Sequence, residues 1–247
     1  MTSPRTPSHF VWHDCLTPDV DLTLKYFTDL VQWGVFDQTW PNVGRYPIAL
    51  VENNPVAGVL ELPKFLQESG VPSYWTGYVE TDVRVAESLI PEKGGHLFTM
   101  PTTSAMGVSF VFTDPGGAVL AAYELSDSFA IPSMQNRSEF VWRRLYVQND
   151  EQSQLFYSAL FGWKFQSAND VIRVLDSSEG AIADLLPMPN WIESDVWVYF
   201  IGVDDLSSTI NRAKIREAAV LEETSIDSKA AVVTKDPFGA IVGFVQL

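Results

Sequence analysis

His13 and Asp14 stand side by side in the stretch FVWHDCLTPD, with Cys15 next to them. An imidazole beside a carboxylate or a thiol is the raw material of general-base and nucleophilic catalysis. Spacing rules out the first pair. The aromatic and β-favouring residues over 10–16 predict a strand, and successive strand side chains leave on opposite faces. His13 and Cys15 do share a face, either as a thiol–imidazole pair or as a packed histidine beside a small buried thiol, and the packed reading is the one carried forward. The remaining inventory is thin. His9, His13 and His96 are the histidines, and the chain carries no GxGxxG, GKS/GKT, GxSxG, CxxC or HExxH. No catalytic residue is assigned.

The elements that would position these groups are written twice. FVW opens a segment at Phe10 and again at Phe140, which sets Trp12 on Trp142, Asp14 on Arg144, Tyr26-Phe27 on Phe156-Tyr157 and Trp33 on Trp163. Further along, Trp75 meets Trp197, and DPGGAV at Asp114 meets DPFGAI at Asp236, with a few residues lost from the second copy. Several matches in order, with small gaps, make a duplication. Each copy reads as a strand, a helix capped by Asp19 or Asn149, further strands, a second short helix, and a closing hairpin turned through DPxG.

The expected fold class is α+β, with two tandem βαβββ modules pairing into a curved, cup-shaped mixed sheet with helices on the outside. The expected boundaries are a disordered tail over 1–9, a first module over 10–125, a linker over 126–138 and a second module over 139–247.

Composition narrows the partners. Of 247 residues 46% are hydrophobic and 13% aromatic, enough to build a core. Acidic residues outnumber basic ones 31 to 16, a formal charge of −15 that repels phosphate backbones and anionic lipid. We therefore expect no nucleic acid and no membrane as partner. The opening residues lack an apolar stretch of signal-peptide type, and Cys15 has no second cysteine to pair with. The expectation is a cytoplasmic protein, monomer or homodimer.

FVW…D…LFYSALFGW, a mid-unit W…Y and DPxGA together resemble the glyoxalase / bleomycin-resistance / extradiol-dioxygenase superfamily, the vicinal oxygen chelate family, and look most like its tandem-module, hydroxylase-like branch. The resemblance spans nearly the whole chain. It implies a cup around a small-molecule site, and in metal-using members a divalent ion held by a His or Gln on a first strand and a Glu on a last strand. Carried over, the first-strand positions fall on Trp12 and Trp142 and the last-strand positions on Ala121 and Gly243. An indole N–H is only a donor, and Ala and Gly offer no donor atom to a metal. The expectation is no metal and no cofactor. Glu124 and Gln246 also correspond, but an odd step from those positions turns them to the other sheet face.

The candidate ligand-binding residues are Trp12, Asp14, Trp142, Arg144, Trp75 and Trp197. Asp14 and Arg144 are read either as ligand contacts or as a salt bridge at the seam between modules, and the tryptophans either as pocket walls or as core. The function expected is a metal-free protein taking a small apolar or aromatic molecule into the cup between modules. The alternative is a lyase, hydroxylase or dioxygenase-like enzyme of the same superfamily, metal-free or with a relocated metal site.

Overall fold

The computed structural model describes residues 8–40, 43–104, 106–126, 139–168, 171–176 and 180–247. The expected linker, apart from Ser126, and the expected tail, apart from Ser8 and His9, lie outside the described residues. Ser8 itself is buried, and its carbonyl accepts the Trp163 indole N–H.

The strand–helix–strands plan occurs four times, twice in each sequence repeat. The first repeat begins with β1 (Phe10–Thr17), α1 (Val20–Val31), β2 (Gly34–Phe36), a small ribbon of β3 (Thr39–Trp40) and β4 (Gly44–Arg45), then β5 (Ile48–Val51), β6 (Asn54–Glu61) and the short α2 (Lys64–Glu68). It continues with β7 (Tyr74–Glu80), α3 (Val83–Glu92), β8 (His96–Leu97), β9 (Thr102–Ser104), β10 (Gly107–Thr113) and β11 (Val119–Leu125). The second repeat runs β12 (Phe140–Val147), α4 (Asp150–Phe161), β13 (Lys164–Ala168), β14 (Val171–Asp176) and β15 (Gly180–Pro187). It ends with β16 (Val196–Val203), α5 (Leu206–Ile215), β17 (Ala219–Ile226), β18 (Lys229–Lys235) and β19 (Ile241–Gln246).

Each repeat builds its own large mixed sheet. Within a quarter the first strand lies parallel to the last: Asp14 pairs Gly58 across β1 and β6, and Arg144 pairs Asp184 across β12 and β15. The same holds for Tyr78 with Ala121, and for Phe200 with Gly243. The quarters then extend outward as β6-β5-β2, β11-β10-β8, β15-β14-β13 and β19-β18-β17. A parallel pair needs a long crossover, and the helix supplies it.

The helices start where capping chemistry places them. Asp19, Asp82, Asn149 and Asp205 each accept a backbone N–H from the first turn of the helix that follows. α1 and α4 stop at a left-handed residue, Gln32 and Gly162, whose N–H caps the carbonyl of Thr28 or Ser158. The DPxG turns close on their own aspartates. Asp114 Oδ1 accepts from Gly116 and Ala118 N–H, and Asp236 Oδ1 from Phe238 and Ala240 N–H.

Contacts gather the chain into two compact units that cut across the repeats: Met1–Trp12, Thr76–Ile131 and Arg143–Trp197 in one, His13–Trp75, Pro132–Trp142 and Val198–Leu247 in the other. The first unit contains α3 and α4, and its core includes Phe10, Phe112, Phe156, Tyr157, Trp163 and Trp197. The second contains α1 and α5, with Phe27, Trp33, Trp75, Phe140 and Tyr199 buried. No helix among the described residues is long and apolar enough to cross a membrane.

Candidate functional site

β1 alternates as its sequence predicts. His13 is fully buried, with its ring 4.3 Å from Phe140 and 4.9 Å from Tyr199. Cys15 is fully buried too. Burial pushes its thiol well above the usual range, and the carboxylates of Asp236 and Asp14 push the same way. A thiol held protonated is no nucleophile, so the His13–Cys15 face is packing.

Asp14 leaves β1 on the opposite face and is 3% exposed. Tyr46 donates its hydroxyl proton to Asp14 Oδ1 at 2.7 Å, and Trp40 packs edge-on against the Tyr46 ring at 5.7 Å. Gly58 stands opposite Asp14 in register, and a Cβ there would run into both the Asp14 carboxylate and the Tyr46 ring. The glycine is what lets carboxylate and phenol meet.

The second repeat holds a related cluster with the charge moved. Asp184 occupies the register position opposite Arg144, and the two form a bidentate pair: Nε to Oδ1 at 2.8 Å and Nη2 to Oδ2 at 3.0 Å. Arg144 Nη1 also donates to the Tyr146 hydroxyl at 3.4 Å, and Arg173 approaches Asp184 at 3.9 Å. Burial works against the guanidinium charge, but the bonds and charge of Asp184 outweigh it and hold Arg144 protonated. Tyr46, Tyr146, Asp184 and Arg173 were not among the residues expected from sequence. Asp184 did carry a signal: it is a lone carboxylate inside the apolar run AIADLLP, which demands a partner.

The tryptophans divide into two kinds. Trp12 and Trp142 are half-buried on the first strands of the two repeats. Trp75 is 4% exposed and enclosed by Phe27, Trp33 and Phe140, whereas Trp197 is 3% exposed and enclosed by Phe10, Tyr157 and Trp163.

The side chains at the four positions that the resemblance assigns to metal ligands do not fit that role. Trp12 and Trp142 offer a metal no lone pair, since an indole N–H only donates a proton, and Ala121 has no polar side-chain atom. A side chain at Gly243 would collide with the Phe200 ring, so that position has no room for a glutamate as the strands stand. Glu124 accepts the Val83 N–H at the start of α3 (3.2 Å), and Gln246 does the same for Leu206 at the start of α5 (3.0 Å). Both cap helices. Among the described residues, no group of three or more His, Cys, Asp or Glu is placed to hold an ion.

No protein-family model matches the chain. It is 27% identical over 95% of its length to "Putative glyoxylase CFP32" of Mycobacterium tuberculosis, covering 93% of that protein. It is 24% identical over 99% of its length to "Anthracycline biosynthesis protein DnrV" of Streptomyces peucetius, covering 94% of that protein. Among solved structures it resembles the Mn(II)-bound glyoxalase of Novosphingobium aromaticivorans, with TM-score 0.62, 13% identity, 98% of this chain and 83% of that one. It also resembles 2,2',3-trihydroxybiphenyl 1,2-dioxygenase of Sphingomonas wittichii, with TM-score 0.63, 9% identity, 98% of this chain and 91% of that one. The strand–helix–strands plan repeated in both halves, the sequence likeness along almost the full length and the shared fold make this chain similar to proteins of the glyoxalase / bleomycin-resistance / extradiol-dioxygenase (vicinal oxygen chelate) superfamily, whose fold it has.

Proposed function

We propose that the chain binds a small, mostly apolar or aromatic molecule against a first-strand face, that of Trp12 or that of Trp142, without a metal at the superfamily's usual positions. The observation that carries this reading is the replacement pattern. Half-buried indoles stand where ion-holding side chains are expected, and each lies two residues along its strand from a buried polar group, Asp14 or Arg144, already held in place by a partner. Flat apolar faces flanked by a few fixed polar groups are how small-molecule sites are made. The names of the relatives favour the same ligand class, since one acts on a trihydroxybiphenyl and another serves anthracycline biosynthesis. Trp75 and Trp197 take no part, being closed into the core. The protein works in the cytoplasm, as a monomer or homodimer.

The test is fluorescence titration with hydroxylated biphenyls and anthraquinones, using wild type and the Trp12→Phe and Trp142→Phe variants. Saturable quenching that at least one of the two variants abolishes is expected; no perturbation by any compound defeats the binding reading. Elemental analysis of the purified protein runs beside it. A tightly held stoichiometric divalent ion would replace this reading with that of a metal-dependent lyase, hydroxylase or dioxygenase.

A further inference from the structure

The two compact units carry matching aromatic cages. Phe10, Trp163, Trp197 and Tyr157 form one, and Phe140, Trp33, Trp75 and Phe27 form the other. The stacked pair is Tyr157–Trp163 at 5.6 Å in the first and Phe27–Trp33 at 5.0 Å in the second. The edge-on pairs agree as closely: Tyr157–Trp197 at 5.7 Å with Phe27–Trp75 at 5.4 Å, and Trp163–Trp197 at 6.0 Å with Trp33–Trp75 at 6.2 Å. Both units also contain the aspartate of a DPxG turn, Asp114 or Asp236, whose Oδ1 is tied to the same two turn amides.

One oxygen differs. Tyr157 donates its hydroxyl proton to Asp114 Oδ2 at 2.9 Å and accepts the Trp197 indole N–H at 2.9 Å, so a single hydroxyl serves both buried groups. Phe27 stands at the matching place without a hydroxyl. The copies exchange Tyr26-Phe27 for Phe156-Tyr157, so the phenol sits one residue earlier on α1, and its oxygen has no hydrogen-bond partner among the described residues. Asp236 Oδ2 and Trp75 Nε1 likewise have no partner among the described residues, although the two residues are only 3% and 4% exposed. Leaving a carboxylate oxygen and an indole N–H unmatched in the interior is costly, and native structures meet such groups with protein or ordered water.

The two atoms define what they would take. The indole N–H gives a proton, so the occupant must accept one; the carboxylate oxygen requires a donor. A metal ion or an ammonium cannot accept from an N–H, and an anion without a proton cannot donate to a carboxylate. A small hydroxyl does both. We propose that Asp236 Oδ2 and the Trp75 indole N–H hold one buried water at the place where the Tyr157 hydroxyl stands in the other unit. Burial has already pushed the Asp236 carboxyl up to about 6, against the turn amides that favour its charge, so a further donor has a role there.

A high-resolution crystal structure of the wild type tests the point directly. Water density within roughly 2.7–3.2 Å of both atoms is expected. Phe27→Tyr should displace that water, place its own oxygen on both atoms, and shift the unfolding equilibrium towards the native state by about fivefold, as one net hydrogen bond would. Tyr157→Phe should admit a water in the first unit. A dry gap in the wild-type map, or Oδ2 and Nε1 too far apart for one water to span, overturns the proposal. So does a Phe27→Tyr structure in which the hydroxyl turns away. If Phe27→Tyr fails to fold, the wild-type map alone decides between water and a dry gap.

Discussion

Arg144 and Asp184 meet through two parallel hydrogen bonds on neighbouring strands, with side chains only 1% and 2% exposed. A charge pair that deep is held by its geometry, and removing one member leaves the other stranded. Asp184→Ala is expected to cost about 3–5 kcal/mol, because the guanidinium keeps its charge with no carboxylate to face. The double variant Arg144→Met/Asp184→Leu should recover most of that loss. Urea denaturation midpoints of the three proteins check it.

Acidity should affect stability in an unusual direction. Burial raises the carboxyls of both Asp114 and Asp236 to about 6, from an ordinary value of 3.8. The folded state therefore binds these protons more tightly than the unfolded chain does. The contribution of the two groups is most favourable below about pH 4 and is lost as pH rises through 6, at roughly 1.4 kcal/mol for each tenfold gain in proton affinity on folding. Lowering pH from 7 to 5 should thus raise this part of the stability. Asp236→Asn keeps an acceptor for the turn amides, so it should flatten the pH slope without dismantling the turn. Chemical denaturation across pH 5–7 reads both slopes.

Glu124 and Gln246 act as remote caps for α3 and α5. Glu124→Ala should destabilise by about 1 kcal/mol, whereas Glu124→Gln, which keeps the acceptor oxygen, should be close to neutral. Matched thermal melts distinguish the two.

Gln32 ends α1 at φ 61°, the place where Gly162 ends α4 at φ 73°. A residue with a Cβ is strained in that left-handed backbone and glycine is not. Gln32→Gly should therefore stabilise the protein by roughly 0.5–1 kcal/mol, visible as a higher unfolding midpoint.

The duplication was legible because residues such as Trp33 and Trp163 recur at a fixed offset, and alternation correctly sent His13 and Cys15 to the packed face. The subdivision of each repeat into two quarters was not legible. β1 and β7 share a role but no recognisable sequence, since a strand needs only the right alternation and not particular residues. The partners of the candidate polar groups were hidden for a related reason. Tyr46 reaches Asp14 and Asp184 reaches Arg144 through parallel or hairpin register, which nothing local announces. Position along the strand was readable; the neighbour across it was not.

The compact units draw on distant stretches of chain, one of them on residues 13–75 together with 198–247. That unit cannot close before residues 198–247 have left the ribosome, however early its first segment emerges. Its early apolar strands must wait exposed until those residues emerge, and loops this long make the closing step slow. Refolding should accordingly be sluggish and prone to aggregation at high protein concentration, and a chain cut between the repeats should yield two fragments that each require the other.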